Sequence, residues 1–252
     1  MLVIRKEQLD VLGSIPQKQF EVSLIRHFFH FYPQDCARVG EGQIGRLVQL
    51  SIDRAAGYGY HSRQEVGFYC NLMLMLGVDF DHDPQIPWAV EQANDWTMAN
   101  PLERIQRLFE TSLTYLAEAF GENGGYLARA LVRIRDYDLE SAPEVKNPQL
   151  ETGLLSLFEF LCPQKFKVQG VDPTRALIRR GIEDAARYGI SGGRGLSVYI
   201  TLMFMLGAGF DHDPVYPWTG SILNDLSLID GMEKARQLYR ASIAYVNRVL
   251  TE

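Results

Sequence analysis

Two short stretches of this chain place an imidazole between two carboxylates: Asp81-His82-Asp83 and Asp211-His212-Asp213. Three such groups in three residues are the right types to hold a metal ion or another cation. Adjacent residues seldom all face one ion, however, and a simpler reading serves both stretches. Asp81 and Asp83 cap turns and helix ends, Asp83-Pro84 starts a turn, and Phe80 and Trp88 pack that turn onto the body of the protein. A protein-contact role for the same turns comes next. Its candidate residues are Asp81, His82, Asp83 and Trp88, with Asp211, His212, Asp213, Tyr216 and Trp218 in the second stretch. An enzyme or metal-binding protein using the Asp-His-Asp turns is the alternative from a different class.

Other residues offer less. His27 and His30 stand three apart, a spacing that can share a metal on a helix, and only Glu21, Asp35 or Cys36 lie near enough in sequence to complete a site. Cys36, Cys70 and Cys162 have no metal-type spacing, and Cys70 in its apolar run reads as a buried free thiol. There is no Gly-x-Ser-x-Gly elbow. Gly192-Gly193-Arg194-Gly195 lacks the Gly-Lys-Ser/Thr of a phosphate loop and reads as a flexible turn. No catalytic residue, metal or cofactor is expected.

Composition narrows the class further. The 252 residues are 46% hydrophobic and 22% charged, with a formal charge of −6. That balance suits a soluble globular protein, and without a Lys/Arg run a nucleic-acid surface is not expected. The charged start of the chain argues against a signal peptide. No stretch approaches the roughly 18 uninterrupted apolar residues of a membrane span. A cytoplasmic protein is expected.

The elements that carry the two turns repeat. Leu72-Met73-Leu74-Met75-Leu76-Gly77 and Leu202-Met203-Phe204-Met205-Leu206-Gly207 precede them, and Pro87-Trp88 and Pro217-Trp218 follow. The offset is 130 (211 − 81), and it runs without a gap from Ile4-Arg5 and Ile134-Arg135 to Tyr115 and Tyr245. A period this long exceeds that of solenoid repeats. It points to an internal duplication giving two tandem homologous helical bundles, residues 1–122 and 123–252, with Gly121-Glu122-Asn123-Gly124-Gly125 as the break.

Within each copy the signals are helical. Residues 17–32 form an aromatic-rich helix that stops before Pro33. Residues 43–58 place Ile44, Leu47, Val48, Ser51, Ile52 and Ala55 on one face. Ser62-Arg63-Gln64-Glu65 is a capping box opening a helix that is apolar nearly all round, hence central and buried, with Met73, Leu76, Met203 and Leu206 as core positions. Gly77 and Gly207 end the two central helices. Asp172-Pro173 reads as a cap followed by the first helical residue. Asn100 and Asp230 cap the last helix of each copy, a further helix runs from Tyr126 to Tyr137, and residues 138–148 form a loop. With almost no alternating pattern, the class is all-α.

A combination of motifs then resembles a known group. It consists of Ile4-Arg5-Lys6-Glu7-Gln8, the run Arg179 to Ile190, Leu202 to Gly207, and Phe-Asp-x-Asp-Pro-x-x-Pro-Trp in both copies. It is similar to a family of small helical bacterial proteins, about 130 residues per unit, often encoded beside spike and effector genes of the type VI secretion system. The resemblance covers almost the whole chain. It implies a non-enzymatic adaptor or chaperone that binds an effector or spike protein encoded nearby, with an immunity protein neutralising a toxin as the alternative. The first copy departs at Gln49-Leu50-Ser51, where the second has Arg179-Arg180-Gly181, so the two copies need not bind the same thing.

Overall fold

A computed structural model of the chain describes residues 6–137 and 149–251, with side chains from residue 17 onward. The expected loop at 138–148 and the motif at Ile4-Arg5 lie outside the described residues. The described part is all-α: thirteen α-helices, one 3-10 turn and no strand. In chain order these are α1 (Lys6–Phe31), α2 (Pro33–Val39), α3 (Glu41–Gly57), α4 (Arg63–Leu76), the 3-10 turn (Phe80–His82), α5 (Pro87–Ala93) and α6 (Pro101–Phe120). Then follow α7 (Gly125–Asp136), α8 (Leu150–Leu161), α9 (Pro163–Gln169), α10 (Val171–Ala186), α11 (Gly193–Leu206), α12 (Pro217–Leu223) and α13 (Gly231–Thr251). No described helix is long and apolar enough to cross a membrane.

Local chemistry sets the helix ends. Ser62 Oγ accepts from the Glu65 N–H while the Glu65 carboxylate takes the Ser62 N–H, so the capping box is complete. Asn100 Oδ1 accepts from Leu102 N–H and Asp230 Oδ1 from Met232 N–H. Five helices begin with proline at the first position, where its missing N–H costs nothing: α2, α5, α6, α9 and α12. The Asp172-Pro173 expectation is corrected. α10 already starts at Val171 behind Gly170, so Asp172 lies inside the first turn, where its charge suits the helix dipole.

Two hydrophobic cores form. One gathers Phe28, Leu47, Tyr69, Leu72, Met73, Phe80 and Leu108, with α4 packed between α3 and α6. The other gathers Phe158, Leu177, Tyr199, Met203, Phe204, Phe210 and Leu238, with α11 against α8, α10 and α13. Phe158 and Phe204 stack with ring centroids 4.2 Å apart. Across the middle of the molecule, α9 lies on α6 and α7 lies on both α6 and α13. Met73 and Met203 are fully buried as expected, but Leu76 and Leu206 are only partly buried. They sit where α4 and α11 end against each other, and their side chains line cavities at that seam.

Candidate functional site at the paired acidic turns

The two central helices stop at Gly77 and Gly207, both at positive φ (99° and 103°). Each chain reversal brings its acidic turn to the same place from opposite sides. The outer carboxylates then cross over. Asp83 Oδ2 accepts the N–H of Ala208 at 2.9 Å, and Asp213 Oδ2 accepts the N–H of Val78 at 3.0 Å. Each also holds its own turn, Asp83 Oδ1 from Gln85 N–H and Asp213 Oδ1 from Val215 N–H, both at 2.8 Å. Gln85 reaches across as well, its Nε2 donating to Asp83 Oδ2 and to the Met203 carbonyl near the end of α11. The Lys165 ammonium donates to the Phe204 carbonyl in that same last turn.

The inner carboxylates face the cores. Asp81 Oδ2 accepts from Tyr69 OH at 2.6 Å, and Asp211 Oδ2 accepts from both Tyr199 and Tyr188. Burial, then the nearby Asp81 or Asp211 charge, pushes the Tyr69 and Tyr199 phenols far up, so both stay protonated donors. Asp81, Asp83, Asp211 and Asp213 are all buried. His82 and His212 are the outward members, with side chains 67% and 48% exposed.

A fifth carboxylate, Asp79, ties the turns together. Arg54 donates to Asp79 Oδ1 at 2.8 Å and to the Val78 carbonyl. Arg180 approaches Asp79 Oδ2 at 3.3 Å and donates to the His82 carbonyl at 2.8 Å. His212 Nε2 lies 3.3 Å from Asp79 Oδ1 and its Nδ1 lies 2.7 Å from Asp211 Oδ1. Burial alone would raise the Asp79 carboxyl; hydrogen bonds and charges from His212 and Arg54 outweigh it and hold the group well below the usual carboxylate range. Burial pushes the Asp213 carboxyl up to about 6 against the pull of its backbone donors, and it raises Asp83 too. Burial also draws the Lys165 ammonium down to about 8, opposed by the Asp83 charge.

This network appears in the sequence only as breaks in the repeat. Asp79 stands opposite Gly209, Arg54 opposite Asp184, and Leu50 opposite Arg180. Gly209 has no side chain because a Cβ there would meet Asp79 Cγ at 2.7 Å. The difference at residues 49–51 and 179–181 is thus partly accounted for: Arg180 reaches the other half of its own chain.

The remaining candidates pack inward. Trp88 sits on Tyr115 with centroids 5.5 Å apart, and Tyr216 meets Tyr245 edge-on at 5.7 Å. Trp218 lies 6.4 Å from Tyr245. All three are partly buried. His27 and His30 are exposed beside Phe31, and among the described residues no group of three His, Cys, Asp or Glu could hold a metal.

The sign of a pH effect follows from His212. Hydrogen bonds to Asp211 and then Asp79 raise its imidazole to about 9, from roughly 6.5 in an unfolded chain. The stability it contributes is therefore complete below about pH 6.5 and is lost as pH rises through about 9. Lys165 changes with the opposite sign at alkaline pH, so the readout is a difference between proteins. The melting-temperature gap between wild type and His212→Gln should narrow from pH 6 to about pH 9.5. A gap that stays constant over that range would show that His212 carries no clamp.

The fold and this seam define an all-α protein whose acidic turns are bonded within their own chain. No protein-family model matches the chain, and neither a curated protein nor a solved structure matches it.

Proposed function

We propose that the chain is a non-enzymatic, cytoplasmic protein-binding adaptor or chaperone, assembled from two tandem homologous bundles, 1–122 and 123–252. Its partner is an effector or spike component of type VI secretion encoded nearby, as the motif resemblance implies. The duplication is supported by element bounds that recur at the same offset: α2 with α9, α4 with α11, and α5 with α12. The binding reading is supported by how the polar groups are used, since the turns that could do chemistry spend their carboxylates on backbone N–H groups and tyrosines.

One observation carries the reading. The loop between α12 and α13 points two aliphatic side chains into water, Leu226 at 95% and Ile229 at 93% exposure. Asp225 Oδ1 braces the loop by accepting from both the N–H and the hydroxyl of Ser227. Single exposed apolar residues are ordinary, whereas two on one loop give a partner apolar area to bury. At the position of Leu226 the first half has Trp96, which lies over the Arg104 guanidinium at 4.4 Å. Lys234, at the position of Arg104, bonds instead to the Leu223 carbonyl and leaves Leu226 uncovered. Burying both side chains on a partner would contribute about 3–6 kcal/mol before ordering costs.

The test is co-expression with the products of adjacent genes. One of them should co-purify with the wild type and be lost with the double variant Leu226→Asp, Ile229→Asp, whose melting temperature should stay within about 2 °C of wild type. If the chain elutes alone beside every neighbour yet turns over a small molecule, the enzyme reading replaces this one.

A further inference from the structure

A pocket of about 270 Å³, partly open to solvent, lies between α7, α11 and α13 with the ends of α4 and α6 on one side. Its walls include Leu202, Met205 and Val246 together with Ser242, Tyr239 and Tyr245, and no charged side chain among the described residues lines it. Two polar atoms on that wall have no hydrogen-bond partner although both are buried: Thr201 Oγ1 and Trp218 Nε1. Thr201 is only 3% exposed. Other helical hydroxyls here turn back onto the carbonyl four residues earlier, as Ser197 does to Gly193 and Thr111 to Arg107. Thr201 does not, and its hydroxyl is left for whatever the cavity holds.

An orphaned buried donor is costly, about 1–3 kcal/mol, and a native protein rarely keeps two together without a purpose. The first half treats the matching positions differently. Where the second half has Val198 and Tyr239, the first sets Phe68 against Phe109 with centroids 5.1 Å apart. Where the second half has Thr201, the first has Asn71, satisfied by Tyr32 OH and the Gly67 carbonyl. The first half also has a pocket at these positions, but His27, Arg63 and Gln64 line it and its Asn71 is satisfied, so the unpartnered hydroxyl is particular to the second half.

We propose that this cavity binds a neutral, mainly apolar small molecule that carries a hydrogen-bond acceptor, such as an aromatic or aliphatic ketone, ester or lactone. An engineered apolar cavity of about 150 Å³ holds benzene, so this one suits a ligand of about ten non-hydrogen atoms. The acceptor takes the Trp218 indole N–H or the Thr201 hydroxyl, and the apolar body lies against the leucine, valine and methionine side chains. A charged ligand is excluded, because the walls offer no counter-charge for a desolvated ion. The proposal is independent of the Leu226 loop and stands or falls separately from the partner-binding reading.

Three probes of similar size separate the alternatives: acetophenone, its hydrocarbon analogue cumene, and benzoate. Titrations of the full chain, followed by saturation-transfer NMR, should show saturable acetophenone binding at least about fivefold tighter than cumene, and none for benzoate. Thr201→Val and Trp218→Phe together should bring acetophenone to the level of cumene, with cumene little changed. Val198→Phe, whose ring would take up part of the pocket, should weaken binding of both. Because Val198→Phe can perturb folding, the Thr201→Val and Trp218→Phe series is the deciding comparison. Absence of saturable acetophenone binding would overturn the proposal, and so would equal affinity for ketone and hydrocarbon, or preference for benzoate.

Discussion

Asp83→Ala is expected to lower the unfolding free energy by about 3 kcal/mol, among the largest losses available from one polar side chain in this chain. The Asp83 carboxylate accepts from Ala208 N–H, Gln85 N–H and Gln85 Nε2 in a buried setting. Truncation strips the Ala208 and Gln85 amides of their acceptor and leaves Lys165 without its facing charge. Relief of the buried charge itself offsets part of the loss, since burial already works against ionised Asp83. Asp83→Asn keeps an acceptor at the same place and should lose less than half as much. Asp213→Ala should resemble Asp83→Ala, because Asp213 makes the reciprocal bond to Val78. Urea unfolding of the four proteins is the measurement. A loss under about 1 kcal/mol for both alanine variants would mean that the crossed carboxylates do not hold the seam.

The same carboxylates show where sequence reading stops. The central helices are legible because an all-round apolar run with a capping box before it and a glycine after it has few other solutions. The turn after each glycine is legible as a turn, and Asp83 does hold Gln85 locally. Its second bond joins residues 125 positions apart, and that of Asp213 spans 135. Contacts at such separation leave no periodic trace. The only trace lies in the mismatches of the repeat, above all Asp79 against Gly209, which compensate one another in space. Leu76 and Leu206 belong to the core on helical phase alone. Phase describes a helix against its own bundle, and these two residues face the other half. Tyr216 likewise follows from no local pattern, since its edge-on partner Tyr245 belongs to α13.

Gly77 and Gly207 tie that seam to the backbone. A Cβ on Gly77 would lie 3.0 Å from the Leu206 carbonyl oxygen, and one on Gly207 would lie 3.0 Å from the Leu76 oxygen. Both residues also sit at positive φ, so an alanine meets two penalties: about 1–2 kcal/mol of backbone strain, and displacement of a main-chain oxygen that has no rotamer to retreat into. Gly189 separates the two. It is at φ 76° with nothing within 4 Å of the place a Cβ would occupy, so Gly189→Ala reports the strain alone. Gly77→Ala and Gly207→Ala should each exceed Gly189→Ala by at least about 1 kcal/mol in urea unfolding. The double variant should cost less than the two single losses together, because one displaced oxygen already opens the seam for the second methyl. Gly189→Ala combined with either should be additive, since nothing within reach of its Cβ belongs to either helix end. If all three alanines cost the same, the close approach of the two helix ends is absent in solution, and the crossed carboxylate bonds at Ala208 and Val78 are absent with it.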